Sequence, residues 1–222
     1  MDFVNVNDQL TNIAQVARRC PGPTLRRAYT RALREWCQQT QWLRLSLPGQ
    51  TVVNVPVYNM GNDVNLDIVG LRAVSLTQVI GTHSQTYGLD ASDSSTWNGN
   101  LPPGLPRRYQ YVPEGKVALD PAPDKVYTFV MSMILIPKES MAVDAQVPAA
   151  PLVKYSNDIE SGALAYLLAI PGQPWSNPSM AAQYARDFKA AISNGKAEVQ
   201  RAYNTGSMRV RPNPFVPAGR VL

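Results

Sequence analysis

Leu152-Val-Lys-Tyr155-Ser-Asn-Asp-Ile159-Glu-Ser-Gly162-Ala163-Leu164-Ala-Tyr166-Leu167-Leu-Ala-Ile170-Pro171-Gly172-Gln-Pro174-Trp175-Ser-Asn-Pro178 is the stretch on which the fold turns. Ile159, Ala163, Tyr166, Leu167 and Ile170 recur at helical spacing, which predicts a helix to Ile170 from a cap at Ser156 or Asn157. Gly162 inside that helix costs about 1 kcal/mol against Ala, so its presence implies close helix packing. Pro171-Gly172 ends the helix, and Pro174-Trp175 makes the corner rigid, with Trp175 as its plug. Ser176 or Asn177 caps the next helix, and Pro178 suits its first turn. Met180, Ala181, Tyr184, Phe188, Ala191, Ile192 and Val199 form its apolar stripe, to about Tyr203.

Two further helices are expected at the other end of the chain. Asp8 or Asn7 can cap the first, with Leu10, Ile13, Ala14 and Ala17 on one face. Pro21-Gly22-Pro23 breaks it, and Pro23 starts the next. That helix places Leu25, Ala28, Tyr29, Ala32, Leu33, Trp36 and Cys37 on one stripe. Burying its large members stabilises by roughly 1.5–3 kcal/mol each, so the stripe needs a partner surface. The opposite face carries Arg26, Arg27, Arg31 and Arg34.

Between these ends the period changes to two. Val53, Val55 and Val57 alternate with Asn54 and Pro56. Val64 to Ile80 is rich in Val, Ile and Leu and broken by Gly70, which fits two strands or one bent one. Residues 81–106 are polar and rich in Gly, Pro and Ser, a long loop of the kind that carries function or is disordered. Arg107–Val112 and Lys116–Leu119 read as a hairpin around Pro113-Glu114-Gly115, and Lys125–Ile136 is the strongest strand signal. The last 19 residues are an arm with three prolines and no helical period, able to reach roughly 60 Å when extended. Its apolar anchors Phe215, Val216, Val221 and Leu222 need a larger surface to dock on.

Charge shifts at the same boundaries. Residues 1–44 balance at +4, 45–153 at −3, 154–203 at +1 and 204–222 at +3. The expected organisation is N-terminal helices at 1–44, a β domain at 45–153 and C-terminal helices at 154–203 packing with 1–44. An extended arm follows at 204–222. The fold class is α+β, a helical bundle from both ends with an inserted antiparallel β domain. Apolar residues are 45% of the 222, enough for a core, and charged residues only 17%, which suits protein-facing surface. No apolar run reaches transmembrane length, and the N-terminus lacks the pattern of a signal peptide. Two cysteines do not make a disulfide scaffold, so the chain reads as folding in a reducing cytosol.

No catalytic, cofactor or metal constellation is found. His83 is the only histidine, Cys37 falls on an apolar stripe, and Cys20 reads as a free thiol. Asp63 and Asp67 read as a solvated β edge. No nucleophile elbow, phosphate-binding loop or dinucleotide fingerprint occurs. The arginine face has three readings: a solvated face, a contact with an acidic neighbour such as the middle segment of an adjacent subunit, or a phosphate contact.

The pattern Tyr155, Ile159, Gly162, Ala163, Leu164, then Pro171, Gly172, Pro174 and Trp175 resembles a motif of head-to-tail adaptor proteins of short-tailed bacteriophages, the tail tubular or head-completion kind. Tyr184, Phe188 and Gly195 are similar to the family's following helix. Glu35-Trp36-Cys37, Thr40 and Trp42 are similar to its N-terminal part. The resemblance implies a structural virion protein and not an enzyme, assembled in the host cytoplasm. It implies a ring of about twelve copies below the portal protein, joining it to the tail nozzle or tail tubular protein, with DNA passing through the channel as cargo and no membrane partner. It places portal contact on Met208, Arg209, Arg211, Phe215, Val216, Arg220 and Leu222, and nozzle contact on Thr82 to Pro106. The alternative, from the residues alone, is a basic nucleic-acid-binding module using the arginine face of the second helix.

Overall fold

A computed structural model describes residues 2–61, 65–80, 82–92, 101–112, 115–139 and 144–203. It is mixed α+β, with sheets that are antiparallel but for one short pairing. The chain opens with strand β1 (Phe3–Asn5), a 3-10 turn (Val6–Gln9) and a short helix α1 (Thr11–Val16). The expected caps of α1, Asp8 and Asn7, do not cap it: both lie in the 3-10 turn, which Asn5 caps by accepting from the Asn7 amide at 2.8 Å, and α1 starts from Leu10 with no side-chain cap. Ala14 lies exposed, because α1 is too short to present a full stripe. Helix α2 (Gly22–Thr40) follows, with Pro23 in its first turn. All seven residues of its expected stripe are buried.

The β region departs from the period-two reading at its start. Strand β2 is Arg44–Gln50, and the valine alternation contributes only to β3 (Val57–Asn59). Val52, Val53 and Val55 are exposed in a turn that hangs on backbone bonds, Thr51 N–H to Tyr127 and Asn54 N–H to Pro123. Alternation of Val with Asn and Pro mimics a strand, but Pro56 donates nothing to a ladder. Strand β4 (Leu66–Ile80) is one long bent strand, its register slipping between Ile68 and Gly70 and between Leu71 and Ala73. The expected loop at 81–106 is a correction: His83–Gly88 forms β5, hydrogen-bonded back onto β4, and Asp90–Ala91 forms β6. Cross-strand pairs such as Thr77–Thr86, bonded at 3.0 Å, explain why a polar segment makes strand there. Residues 93–100 lie outside the described residues.

The expected hairpin is present as β7 (Arg108–Val112) and β8 (Lys116–Asp120), and the strongest strand as β9 (Thr128–Pro137). One sheet runs β2-β9-β4-β5 and the other β3-β8-β7-β6, where the short β6–β7 pair is parallel. Alternate residues of β9, Phe129, Met131, Met133 and Leu135, point into the core. The Tyr109 and Tyr111 hydroxyls donate from β7 to the Arg72 and Ile68 carbonyls of β4, joining the sheets. Strand β10 (Gln146–Pro148) then pairs with β1, so the chain's start lies against the exit of its β region.

Helix α3 spans Leu152–Leu168. It begins before the expected cap because 152–154 form a turn that kinks at Tyr155 (φ −115°, ψ 20°). It ends two residues early, because the Asn177 amide and the Ser176 hydroxyl fold back onto the Leu168 carbonyl. Helix α4 (Pro178–Tyr203) is capped by Asn177, whose Oδ1 accepts from the Met180 amide at 3.2 Å. Helix α3 packs on both α2 and α4. The arm at 204–222 lies outside the described residues.

Candidate functional site

The residues that carry the sequence motif converge on one helical junction. Gly162 of α3 faces Phe188 of α4 so closely that a Cβ there would stand 2.7 Å from the ring. Gly195 of α4 is pressed in the same way against Thr40 and Trp36 of α2, at 2.8 and 3.1 Å. Trp36, Trp42 and Tyr155 form an aromatic triad with centroid separations of 5.6, 4.8 and 5.4 Å. Tyr155 contributes its ring to the triad from the kink in α3. Its hydroxyl donates to Glu198 of α4, which also holds Lys154. Burial, and then the bond to Glu198, push the Tyr155 hydroxyl up to about 12. The bonds from Lys154 and Tyr155 hold the Glu198 carboxyl below its ordinary range. On the other side of α3 the Tyr166 hydroxyl donates to Glu35 of α2.

The remaining motif residues sit at the corner. Gly172 has φ +73°, which only glycine adopts freely, and Pro171 and Pro174 are exposed. Trp175 is half-buried against the core, with its Nε1 shielded and without a hydrogen-bond partner among the described residues. It covers the corner more than it plugs it.

The arginine face divides. Arg34 reaches Asp67 of β4 at 3.0 Å and also donates to the Pro137 carbonyl. Asp67 is therefore an ion-pair partner, which corrects its reading as a solvated edge; Asp63 lies outside the described residues. Arg26 donates to Asn7 at 3.4 Å. Arg27 and Arg31 stay exposed, with the Arg31 guanidinium 4.3 Å above the Tyr166 ring. They line two adjoining grooves of about 350 and 510 Å³.

Among the described residues no group of His, Cys, Asp and Glu can hold a metal ion. Cys37 is fully buried and burial pushes its thiol far up, so it is inert packing; Cys20 is a half-buried free thiol. His83 is exposed at the start of β5. No helix of the described residues is long and apolar enough to cross a membrane. Met208, Arg209, Arg211, Phe215, Val216, Arg220 and Leu222 all lie outside the described residues.

A family model described as SU10 adaptor protein matches residues 5–211. The chain belongs to the SU10 adaptor protein family. Comparison with curated proteins gives no match. The family agrees with the resemblance to head-to-tail adaptors carried by 155–175, and a structural adaptor family implies a non-enzymatic role. The match runs through the helical junction, the β region and the α3–α4 corner of this SU10 adaptor alike. Sequence reasoning missed the Arg34–Asp67 pair, the Tyr166–Glu35 bond and the partners of Gly195. Each joins residues far apart in the chain, where periodicity is silent. The only local signal was a glycine inside an otherwise unbroken helix.

Proposed function

We propose that this SU10 adaptor is a head-to-tail adaptor of a tailed-phage virion, forming a ring below the portal that joins it to the tail nozzle and lets DNA pass. The family match over 5–211 carries the reading. The junction supports it: glycines pressed against aromatic rings give a helical part that holds its shape, as a load-bearing joint requires. On this reading the helical part is built from 1–44 and 154–203, the β domain of 45–153 is inserted between them, and the arm of 204–222 engages the portal. The segment 82–106, including β5 and β6, meets the nozzle. Twelve docked arms would add avidity without strong single contacts.

Native mass spectrometry of the chain, alone and with the portal ring of the same phage, tests this. Addition of about twelve copies to the portal is expected. A portal ring that gains no copies would overturn the reading. Deleting 208–222 should leave the melting temperature unchanged and abolish portal attachment; an unaltered complex would refute the arm's role. No observation favours the nucleic-acid alternative. Arg34 and Arg26 are engaged within the chain, and two exposed arginines are few for phosphate-driven binding.

A further inference from the structure

Resting on the reading that 82–106 meets the nozzle, we propose that the nozzle protein adds an extended strand to the outer edge of β5. Recognition is by main-chain hydrogen bonds to Ser84, Thr86 and Gly88.

The register leaves this edge open. β5 stands last in the sheet β2-β9-β4-β5 and pairs along its length with β4. Just beyond it, the Leu89 amide donates to the Val74 carbonyl of β4 at 2.8 Å. Backbone groups alternate sides along an antiparallel strand, so Gln85 and Tyr87 also turn to β4, and Ser84, Thr86 and Gly88 turn away. Past Leu89 the outer side is taken by β7: the Asp90 amide donates to Arg107 at 3.0 Å and the Ser92 amide to Tyr109 at 2.8 Å. Before Arg107 the chain turns off, and the Gly104 amide donates to Ala122 instead. The flank of Ser84, Thr86 and Gly88 therefore lies open in line with β7, and among the described residues no backbone bond reaches it. The β5 residues are exposed except for half-buried Tyr87, and Val79, opposite Ser84 on β4, is 70% exposed.

The other long edge of that sheet is closed. The Leu135 amide donates to Leu43 and the Thr51 amide to Tyr127, so the same alternation turns Pro48 to the free side of β2. A proline there removes a ladder donor, and its ring bars an incoming strand. In the second sheet, edge strand β3 is only three residues long and follows Pro56. β5 carries no proline, lysine or carboxylate to protect it. The closed edges also identify the occupant. A neighbouring copy cannot continue the sheet with β2, because Pro48 faces the joint. Two β5 edges would pair about a two-fold axis, which joins copies in pairs and not in a ring. The arm of 204–222 carries Pro212, Pro214 and Pro217, which remove ladder donors from both of its sides. What fits is a proline-free extended segment of another protein, and 82–106 faces the nozzle side.

The test uses the full-length chain on the portal ring, with the nozzle protein of the same phage as probe, and reads binding and backbone hydrogen exchange. Without the probe, the Ser84, Thr86 and Gly88 amides should exchange fast while Gln85 and Tyr87 are protected; the probe should slow the first three by about tenfold or more. Thr86→Pro puts on β5 what Pro48 puts on β2, and should raise Kd for the probe by about tenfold or more. Thr86→Val keeps the amide and should bind like the unaltered chain. Circular dichroism checks the fold, and Ser84→Pro takes the place of Thr86→Pro if that variant unfolds. If the probe binds without slowing exchange, if the proline variant binds as well as the unaltered chain, or if Thr86→Val weakens binding equally, strand addition is overturned and the nozzle reading stands. Slowing that appears without the probe and grows with chain concentration would make a second copy the occupant and overturn the proposal. If the unaltered chain on the portal never binds the probe, both fall.

Discussion

Replacing Gly162 with Ala sets two effects of opposite sign against each other. In an exposed helix the change stabilises by about 1 kcal/mol, because Ala is the better helix former. Here the new Cβ would lie 2.7, 2.8 and 2.9 Å from three carbons of the Phe188 ring. Carbon atoms rest at about 3.5–4.0 Å, so ring or helix must retreat by roughly 0.7–1 Å. Phe188 is only 5% exposed and has no open side to swing into. Overpacking of this kind costs about 1–3 kcal/mol. The clash wins, with a net loss of up to about 2 kcal/mol. For a chain of this size each kcal/mol lowers Tm by about 2–4 °C. Thermal unfolding followed by far-ultraviolet circular dichroism reads it. Phe188→Leu in the same chain should recover part of the loss, a coupling of about 0.5 kcal/mol or more. Gly172→Ala serves as the control. Open space surrounds Gly172, so its cost comes from its positive φ, and Phe188→Leu should not rescue it. A higher Tm for Gly162→Ala, as helix propensity alone would give, refutes the close-packing argument.

Other expectations follow from buried polar groups. Tyr29 is fully buried and its hydroxyl has no partner among the described residues, so Tyr29→Phe should stabilise by about 1 kcal/mol in denaturant titration. A loss of that size would reveal a hydroxyl bond. Tyr155 holds its proton more tightly folded than unfolded, with its pKa raised from 10.0 to about 12. Its contribution is therefore complete below pH 10 and is lost as pH rises from 10 towards 12. A series of Tm values across that range should fall less steeply for Tyr155→Phe, and parallel curves would count against the bond to Glu198. Arg34→Ala should destabilise by about 1 kcal/mol, since it leaves Asp67 and the Pro137 carbonyl without their half-buried donor. An unchanged unfolding midpoint would show that water replaces the arginine fully.

Helices were the legible part of the sequence. The stripe from Leu25 to Cys37 and the cap and first-turn proline at Asn177-Pro178 encode their structure within a few residues, and both appear as read. Gly162 announced a close approach but could not name Phe188, which lies on another helix. Strands were legible where alternation and burial coincide, as along β9. They misled at Val53 to Val57, where alternating residues face solvent, and at 83–88, where polar residues pair across a hairpin. Of the candidate site, the arginine face was visible as a face. Which arginines were engaged was not, because Asp67, Asn7 and Tyr166 reach it only through the tertiary fold.

Trp42 and Tyr155 bracket the β region, one just before β2 and the other at the kink of α3, and their rings lie 5.4 Å apart. The chain thus leaves the helical part and returns to it at nearly one point. An excursion with adjacent ends can change in length or content without disturbing its host. The aromatic triad is, in that sense, a graft point. Exchanging the segment between Leu43 and Lys154 for that of another family member would alter what the far end touches and leave the contacts among the helices in place, provided the new segment keeps partners for Arg34 and a strand to pair with β1.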